Sequence, residues 1–101
     1  MKNRVPCGTR GDELDRLYSQ VTGAIARGQW RAVYGYENDI ASMLPASDPE
    51  GGVARRGAVS AAIKAGDLEH ARNLVERYSR DPEIPAQLVQ QLHLLLQKDT
   101  Q

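Results

Sequence analysis

The sequence of 101 residues is poor in large apolar side chains. It contains no phenylalanine, aromatic residues make up 5% of it, and alanine contributes 12 residues to an apolar fraction of 41%. A chain of this length favours a single domain. That domain has a thin core when alanine supplies much of it, although the apolar content still argues against disorder. The sequence therefore predicts a small folded domain whose hydrophobic core contains few large side chains.

The chain also lacks an excess of charge of either sign. Thirteen basic and thirteen acidic side chains give a formal net charge of zero, so the composition offers no surplus of Lys and Arg to neutralise phosphates. Acidic residues are interleaved with the arginines, which predicts a solvated, salt-bridged helix surface. The arginines in question are Arg55, Arg56, Arg72, Arg77 and Arg80. We expect no nucleic-acid partner.

Cysteine and long apolar runs are nearly absent. Cys7 is the single cysteine, so no disulfide can form within the chain, which favours a reducing compartment. No run approaches the roughly 18 apolar residues that a membrane-spanning helix needs, and the first residues lack the apolar stretch of a secretory signal. We expect a cytoplasmic protein without a membrane partner.

No combination of residues indicates catalysis. His70 and His93 have no cysteine at metal-ligand spacing and are expected at the surface. No glycine-rich phosphate-binding motif occurs, and residues 51–52 are expected to form a flexible connection. Glu37 lies on an apolar arc, where desolvation would raise its pKa, and it is expected to make a hydrogen bond across its hairpin or to contact a bound chain. We predict no enzyme, and no catalytic, metal-binding or cofactor-binding residue.

Apolar residues recur at helical spacing along most of the chain. This pattern predicts an all-α fold of about five helices. Residues 1–11 have no such pattern and are predicted to be a flexible N-terminal tail, with Asp12 as the first N-cap of a single domain over residues 12–101. The first helix is predicted to end at Gly28. The second is predicted from Trp30 to Pro45 and the third from about Val53 to Ala65, with a loop at residues 46–52 between them. The fourth is predicted from Asp67 to Asp81 and the fifth from about Glu83 to Lys98.

Two segments share one pattern 38 residues apart. Residues 26–32 align with residues 64–70 when Gly28 is matched to Gly66. Each glycine is expected to release the chain into a tight turn between two paired helices, and the period lies in the range of helical-hairpin repeats. Residues 66–71, Gly-Asp-Leu-Glu-His-Ala, resemble the central turn of a tetratricopeptide (TPR) repeat. The resemblance implies two TPR-like hairpins.

A fifth helix is expected to cap these hairpins, because each hairpin leaves an apolar face for its neighbour. Its wide apolar face consists of Ile84, Leu88, Val89, Leu92, Leu95 and Leu96. Leu94 points away from that face and is either a stray surface leucine or a partner contact. Arg55 departs from the TPR pattern, since a large apolar residue is typical at its position.

The C-terminal part of the chain resembles a narrower family. Residues 74–84, Leu-Val-Glu-Arg-Tyr-Ser-Arg-Asp-Pro-Glu-Ile, and the amphipathic helix after them are similar to the end of small bacterial chaperones of the type III secretion needle subunit. The distinctive piece is the Ser-x-Asp-Pro-x-Ile junction at residues 79–84, and the likeness covers residues 13–98 at most. It implies a concave groove that holds an amphipathic helix of the needle subunit, together with a second, small co-chaperone.

In TPR-like hairpins the first helix of each pair lines the groove. Carried onto this chain, the resemblance implies partner-binding residues at Tyr18, Thr22, Ile25, Arg56, Ser60, Ile63 and Lys64, with Leu94 as a further candidate. Ile25 and Ile63 are equally well interpreted as core residues, whereas tyrosine suits an interface with an apolar body and a wet tip. An open groove also predicts marginal stability or self-association of the isolated chain.

Two other functions stay open. A generic TPR-like adaptor with a different protein partner would have the same architecture. A small DNA-binding regulator is the alternative from another class, with Gly28 or Gly66 in the turn of a helix-turn-helix. Neither residues 29–44 nor residues 67–78 carry the cluster of Arg, Lys, Asn and Gln that is expected of a recognition helix.

Overall fold

The computed structural model describes the backbone of residues 6–99 and the side chains of residues 11–98. Over that range the chain forms five α-helices and no strand, which confirms the all-α prediction. The helices are α1 (Pro6–Ala26), α2 (Trp30–Met43), α3 (Pro49–Lys64), α4 (Leu68–Ser79) and α5 (Ala86–Asp99). α1 packs against α2, α2 against α3 and α3 against α4, and α5 contacts both α3 and α4. The chain is thus two helical hairpins followed by one helix.

The turns of the two hairpins have the same backbone geometry. Gly28 and Gly66 have φ angles of 69° and 79°, in the left-handed region that glycine adopts without strain. In both turns the N–H after the glycine bonds to a carbonyl five residues earlier, at 2.9 Å. This is the Schellman closure of a helix C-terminus. The predicted equivalence of the two turns is confirmed.

α1 begins earlier than predicted. Its first residue is Pro6, so Asp12 lies inside the helix and is not its N-cap. Proline is favourable at a first helical position because its missing N–H would have no partner there. The portion of the predicted tail at residues 6–11 is therefore helical, whereas residues 1–5 lie outside the described part.

α3 also begins earlier than predicted, at Pro49 instead of about Val53. Asp48 is its N-cap, with a side-chain oxygen that accepts a hydrogen bond of 2.8 Å from the Glu50 N–H. An aspartate cap, a proline at the first position and a glutamate in the first turn together favour a helix start. The connection between the hairpins is correspondingly shorter.

Gly51 and Gly52 are buried helical residues, so the prediction of a flexible connection was wrong. A Cβ atom at Gly51 would overlap the carbonyl oxygen of Pro45. Glycine at this position therefore allows the start of the α2–α3 connection to lie directly against the first turn of α3.

α5 begins at Ala86, three residues after the predicted start at Glu83. Pro85 disfavours helical angles at the residue before it, so the helix starts only after this proline. The predicted apolar face is confirmed: Leu88 and Leu92 are buried, and other members of it pack at the edge of the core. This face rests on α3 and α4.

The core combines a few large side chains with a row of small ones. Ile40, Leu74 and Leu92 are completely buried, and full burial of such a side chain contributes about 1.5–3 kcal/mol. The buried alanines of α3 are Ala54, Ala58, Ala61 and Ala62. Because these side chains are short, α2 and α4 can both lie close to α3.

Arg55 is a buried residue, so its prediction as part of a solvated basic strip was wrong. It is 7% exposed. Its Nη1 donates to the Gly51 carbonyl at 3.0 Å and its Nη2 donates to the Leu44 carbonyl at 3.2 Å. The guanidinium carbon also lies 5.5 Å from the centre of the Tyr78 ring. Arg55 therefore connects the end of α2, α3 and α4.

The start of α4 is attached to α2. Asp67 caps α4 by accepting from the His70 N–H at 3.2 Å, and it also accepts from the Tyr34 hydroxyl at 3.2 Å and from Arg31 Nη1 at 3.4 Å. The hydrogen bond from His70 is the main reason that the pKa of Asp67 lies below its ordinary value. The His70 ring lies 4.5 Å from that of Tyr34, so His70 is half-buried, whereas His93 is exposed as predicted.

Candidate functional site

Four large apolar side chains are exposed in the described part of the chain. The exposed fractions are 36% for Tyr18, 46% for Ile25, 56% for Val53 and 55% for Leu94. Three of the four are among the predicted partner-binding residues. Single exposed apolar residues are ordinary on protein surfaces, so the relevant question is whether these four lie on one face.

Tyr18 connects α1 to the start of α3. Its hydroxyl donates a hydrogen bond of 3.0 Å to Glu50 Oε2. The pKa of Tyr18 is raised by burial first, and then by this hydrogen bond and by the charges of Glu50, Glu37 and Asp48. Tyr18 therefore faces a group of acidic side chains and stays a neutral donor at pH 7.

α3 presents one open arc between α1 and α5. Residues three, four and seven apart lie on the same side of a helix. The arc consists of Glu50, Val53, Arg56, Gly57, Ser60 and Lys64, all of them exposed or half-buried. Sequence reasoning missed Val53 because it placed this residue at the helix start instead of one turn inside.

Arg56 connects this arc to α5. Its Nη1 donates a hydrogen bond of 2.9 Å to Gln91 Oε1. Val53 lines a cavity of about 350 Å³, and Leu94 lines a second cavity of about 530 Å³. Both cavities are lined by Arg56 and Gln91. Val53 and Leu94 are therefore parts of one surface.

These contacts define a continuous surface across α1, α3 and α5, which we call the open face. Its members are Tyr18, Glu50, Val53, Arg56, Gln91 and Leu94. Polar pairs link the helices, and exposed apolar side chains lie beside them. No sequence pattern indicated Gln91 as a member of this surface, because its hydrogen bond with Arg56 depends on how α5 packs against α3.

The other predicted residues are distributed around the open face. Thr22 is exposed on α1 and donates to the Tyr18 carbonyl at 3.0 Å. Lys64 Nζ lies 4.6 Å from the centre of the Trp30 ring at the tip of the first hairpin. Ser60 is half-buried on the arc. These residues border the open face.

The two predicted isoleucines differ in position. Ile63 is half-buried and packs against the core, which agrees with its interpretation as a core residue. Ile25 is exposed and lies seven residues after Tyr18, on the same side of α1. The structure therefore extends the apolar border of the open face along α1 to Ile25.

Glu37 lies beneath the open face, between α1 and α3. It shares the buried side of α2 with Val33, Ile40 and Ala41, and its carboxylate rests against Gly57, where a Cβ atom would overlap Oε2. Burial raises the pKa of Glu37 from its ordinary value of 4.5 to about 7, as the sequence predicted. The alternative of a hydrogen bond across the hairpin is not realised among the described residues.

Comparison of the chain with protein-family models, curated proteins and solved structures gave no match. None of the helices in the described part combines the length and the apolar content needed to cross a bilayer. Among those same residues, no three or more His, Cys, Asp or Glu side chains are grouped so that they could hold a metal ion.

Proposed function

We propose that this chain is a non-enzymatic protein-binding module that holds an amphipathic helix on its open face. Within that class, we propose a cytoplasmic type III secretion chaperone that keeps a needle subunit from polymerising prematurely. A second, small co-chaperone would complete the assembly. The open face supports the binding module, and the family resemblance supports the narrower assignment as a chaperone.

The continuity of the open face supports the binding module. Tyr18, Val53 and Leu94 are exposed apolar side chains on three different helices, joined by the Tyr18–Glu50 and Arg56–Gln91 hydrogen bonds. A helix that docks in a groove uses apolar anchors at helical spacing and polar groups beside them. The alternation of apolar and polar groups on the open face suits such a ligand.

The shape of the chain supports the same conclusion. Its principal dimensions are 56, 34 and 17 Å, so the helices form a thin slab. Stacked hairpins bury one face on a neighbour and leave the terminal surfaces uncovered. A bound helix would add the layer that a core built on α3 alanines does not supply.

The narrower assignment is supported by the resemblance at residues 79–84. In the structure these residues lead from the end of α4 to Pro85, after which α5 begins. α5 contributes Gln91 and Leu94 to the open face. The segment that carries the family resemblance therefore leads into the helix that forms one wall of the proposed binding site.

The test is affinity purification of the tagged full-length chain from its native host, with identification of the bound protein by mass spectrometry. We expect a small helical subunit that polymerises when purified alone. Tyr18→Glu and Leu94→Glu should each abolish its retention, since each places a charge at an apolar anchor. Arg72→Glu, at an exposed position of α4, should retain it, and circular dichroism should show equal helicity for all three variants.

Other results would favour the alternatives. A non-polymerising partner lost from the same two variants would favour a generic adaptor. Salt-sensitive retention of random duplex DNA would favour a DNA-binding regulator. Undiminished retention of the subunit by both variants would exclude the open face as its binding site.

A further inference from the structure

We propose that Glu37 is a specificity-determining residue of the open face and that it receives a basic side chain, lysine or arginine, from the bound helix. This inference rests on the proposed function and adds the chemistry of the occupant. The ligand would be an amphipathic helix with one basic residue among its apolar anchors.

The position of Glu37 makes it reachable from the open face. Its neighbours along the same side of α2 are buried, but Glu37 itself is half-buried. Gly57 belongs to the open arc of α3, and any side chain there would collide with the Glu37 carboxylate. Glycine inside a helix is less favourable than alanine by about 1 kcal/mol. Here it leaves the space that the carboxylate occupies.

Glu37 differs from the other acidic residues that lie between helices. Glu50 accepts from the Tyr18 hydroxyl and Asp67 accepts from the Tyr34 hydroxyl, while Asp48 caps α3. Glu37 accepts no hydrogen bond from any described residue. A carboxylate withdrawn from water without a partner is unfavourable. A hydrogen-bond donor from a bound protein would therefore stabilise the complex more at Glu37 than at the acidic residues that already have a donor.

The surroundings of Glu37 favour a cation as that donor. Tyr18 on α1 and Tyr78 on α4 lie close enough to Glu37 for its charge to raise their pKa values. The charges of Asp48 and Glu50, at the start of α3, act on Tyr18 in the same direction. The nearby cations are the exposed Arg77 and the buried Arg55, whose Nη1 and Nη2 donate to two backbone carbonyls and whose Nε has no hydrogen-bond partner among the described residues. Neither cation donates a hydrogen bond to Glu37, so its carboxylate can accept one from a basic side chain of a bound helix.

A basic side chain also fits the shape of this position. Lysine and arginine can lay an aliphatic stem along an apolar surface while the charged group reaches further. The stem would cross the α3 arc beside Gly57, and the charged group would form a charge-assisted hydrogen bond with Glu37. Tyr18 and Val53 would contact the apolar anchors on either side.

The experiment uses the full-length chain as bait for a displayed library of amphipathic helices of about 20 residues, a length of about 30 Å. The apolar positions are fixed, and each flanking position is Lys, Gln, Glu or Ala. The baits are the wild type, Glu37→Gln, Glu37→Lys and Asp39→Asn. Asp39 is exposed on the opposite side of α2 and provides the matched control.

We expect the wild type and Asp39→Asn to select lysine at one position. Glu37→Gln should lose this preference and Glu37→Lys should replace it with glutamate. In titration calorimetry, exchange of that lysine for glutamine in a selected peptide should raise the Kd about tenfold with the wild type, the equivalent of about 1.4 kcal/mol. With Glu37→Gln, which is nearly isosteric, the exchange should leave the Kd unchanged.

The outcomes separate the two proposals. Selected helices without a lysine preference, or a preference that persists in Glu37→Gln, would overturn the role of Glu37 and leave the proposed function standing. If the wild-type bait selects no helix above background, the helix-binding function itself fails, and the inference fails with it.

Discussion

The two hairpins close with the same glycine turn but differ in how their polar groups are paired. In the α3–α4 hairpin both helices have aspartate N-caps, and buried Arg55 donates to two backbone carbonyls. In the α1–α2 hairpin, Gln29 makes no capping hydrogen bond and Glu37 has no described donor. The first hairpin also carries the exposed Tyr18 and Ile25. The second hairpin thus has the more complete helix capping, although Arg55 Nε and the Ser79 hydroxyl are buried without a hydrogen-bond partner among the described residues, while the first keeps groups that a partner can satisfy.

The largest effect is expected from breaking the second hairpin at Arg55. Arg55→Ala would leave the Leu44 and Gly51 carbonyls without their donor and open a cavity beside Tyr78. We expect the free energy of unfolding to fall by about 3 kcal/mol, as measured by urea denaturation.

The control for this prediction is Arg72→Ala, at an exposed position of α4. Exposed substitutions of this kind usually change stability by less than about 0.5 kcal/mol. Equal effects of the two substitutions would mean that Arg55 does not connect the helices, and the contrast between the hairpins would lose its main support.

A smaller effect is expected from removing the capping residue that follows each turn. Asp67→Ala removes the cap of α4 and the acceptor of the Tyr34 hydroxyl, so the Tm should fall by about 5 °C. Gln29→Ala removes no capping hydrogen bond and should leave the Tm within about 1 °C of the wild type. Thermal melts by circular dichroism measure both, and equal shifts would show that the two turns are alike in their capping.

Much of the second hairpin could be predicted from sequence because its signals are local. Gly66 followed by Asp67 gives the turn and the cap, and apolar spacing gives the helices on either side. The start of α3 was missed, since proline and two glycines within four residues are typical of a loop. The burial of Arg55 was also missed because its acceptors, the Gly51 and Leu44 carbonyls, come together only when the α2–α3 connection has folded.

The candidate site was predictable only as a set of separate residues. The TPR resemblance implied Tyr18 and Ile25 as groove residues, helical spacing placed Leu94 away from the apolar face of α5, and the apolar arc of α2 indicated a desolvated Glu37. Their relation to one another depends on helix packing. The clearance at Gly57 and the Arg56–Gln91 hydrogen bond arise between helices distant in sequence, where periodicity carries no information.

The smallest effect is expected in the first hairpin, where Glu37→Gln should be stabilising. Burial raises the pKa of Glu37 from 4.5 to about 7, so the folded chain holds this proton more tightly than the unfolded chain does. The resulting stability is present below pH 4.5 and is lost as the pH rises through about 7. Glutamine cannot ionise, so the Glu37→Gln variant does not lose this stability as the pH rises.

Glu37→Gln should therefore match the wild type below pH 4.5 and exceed it by about 1 kcal/mol at pH 8, a value reduced for the solvent that reaches this half-buried group. Urea denaturation at several pH values measures the difference, with Asp39→Asn, at an exposed position on the opposite side of α2, as the control. A constant difference between pH 4.5 and 8 would mean that Glu37 is adequately solvated without a ligand. When a lysine-bearing helix is bound, the wild type should instead be more stable than Glu37→Gln, because the ion pair compensates for the solvation that the Glu37 carboxylate loses on burial.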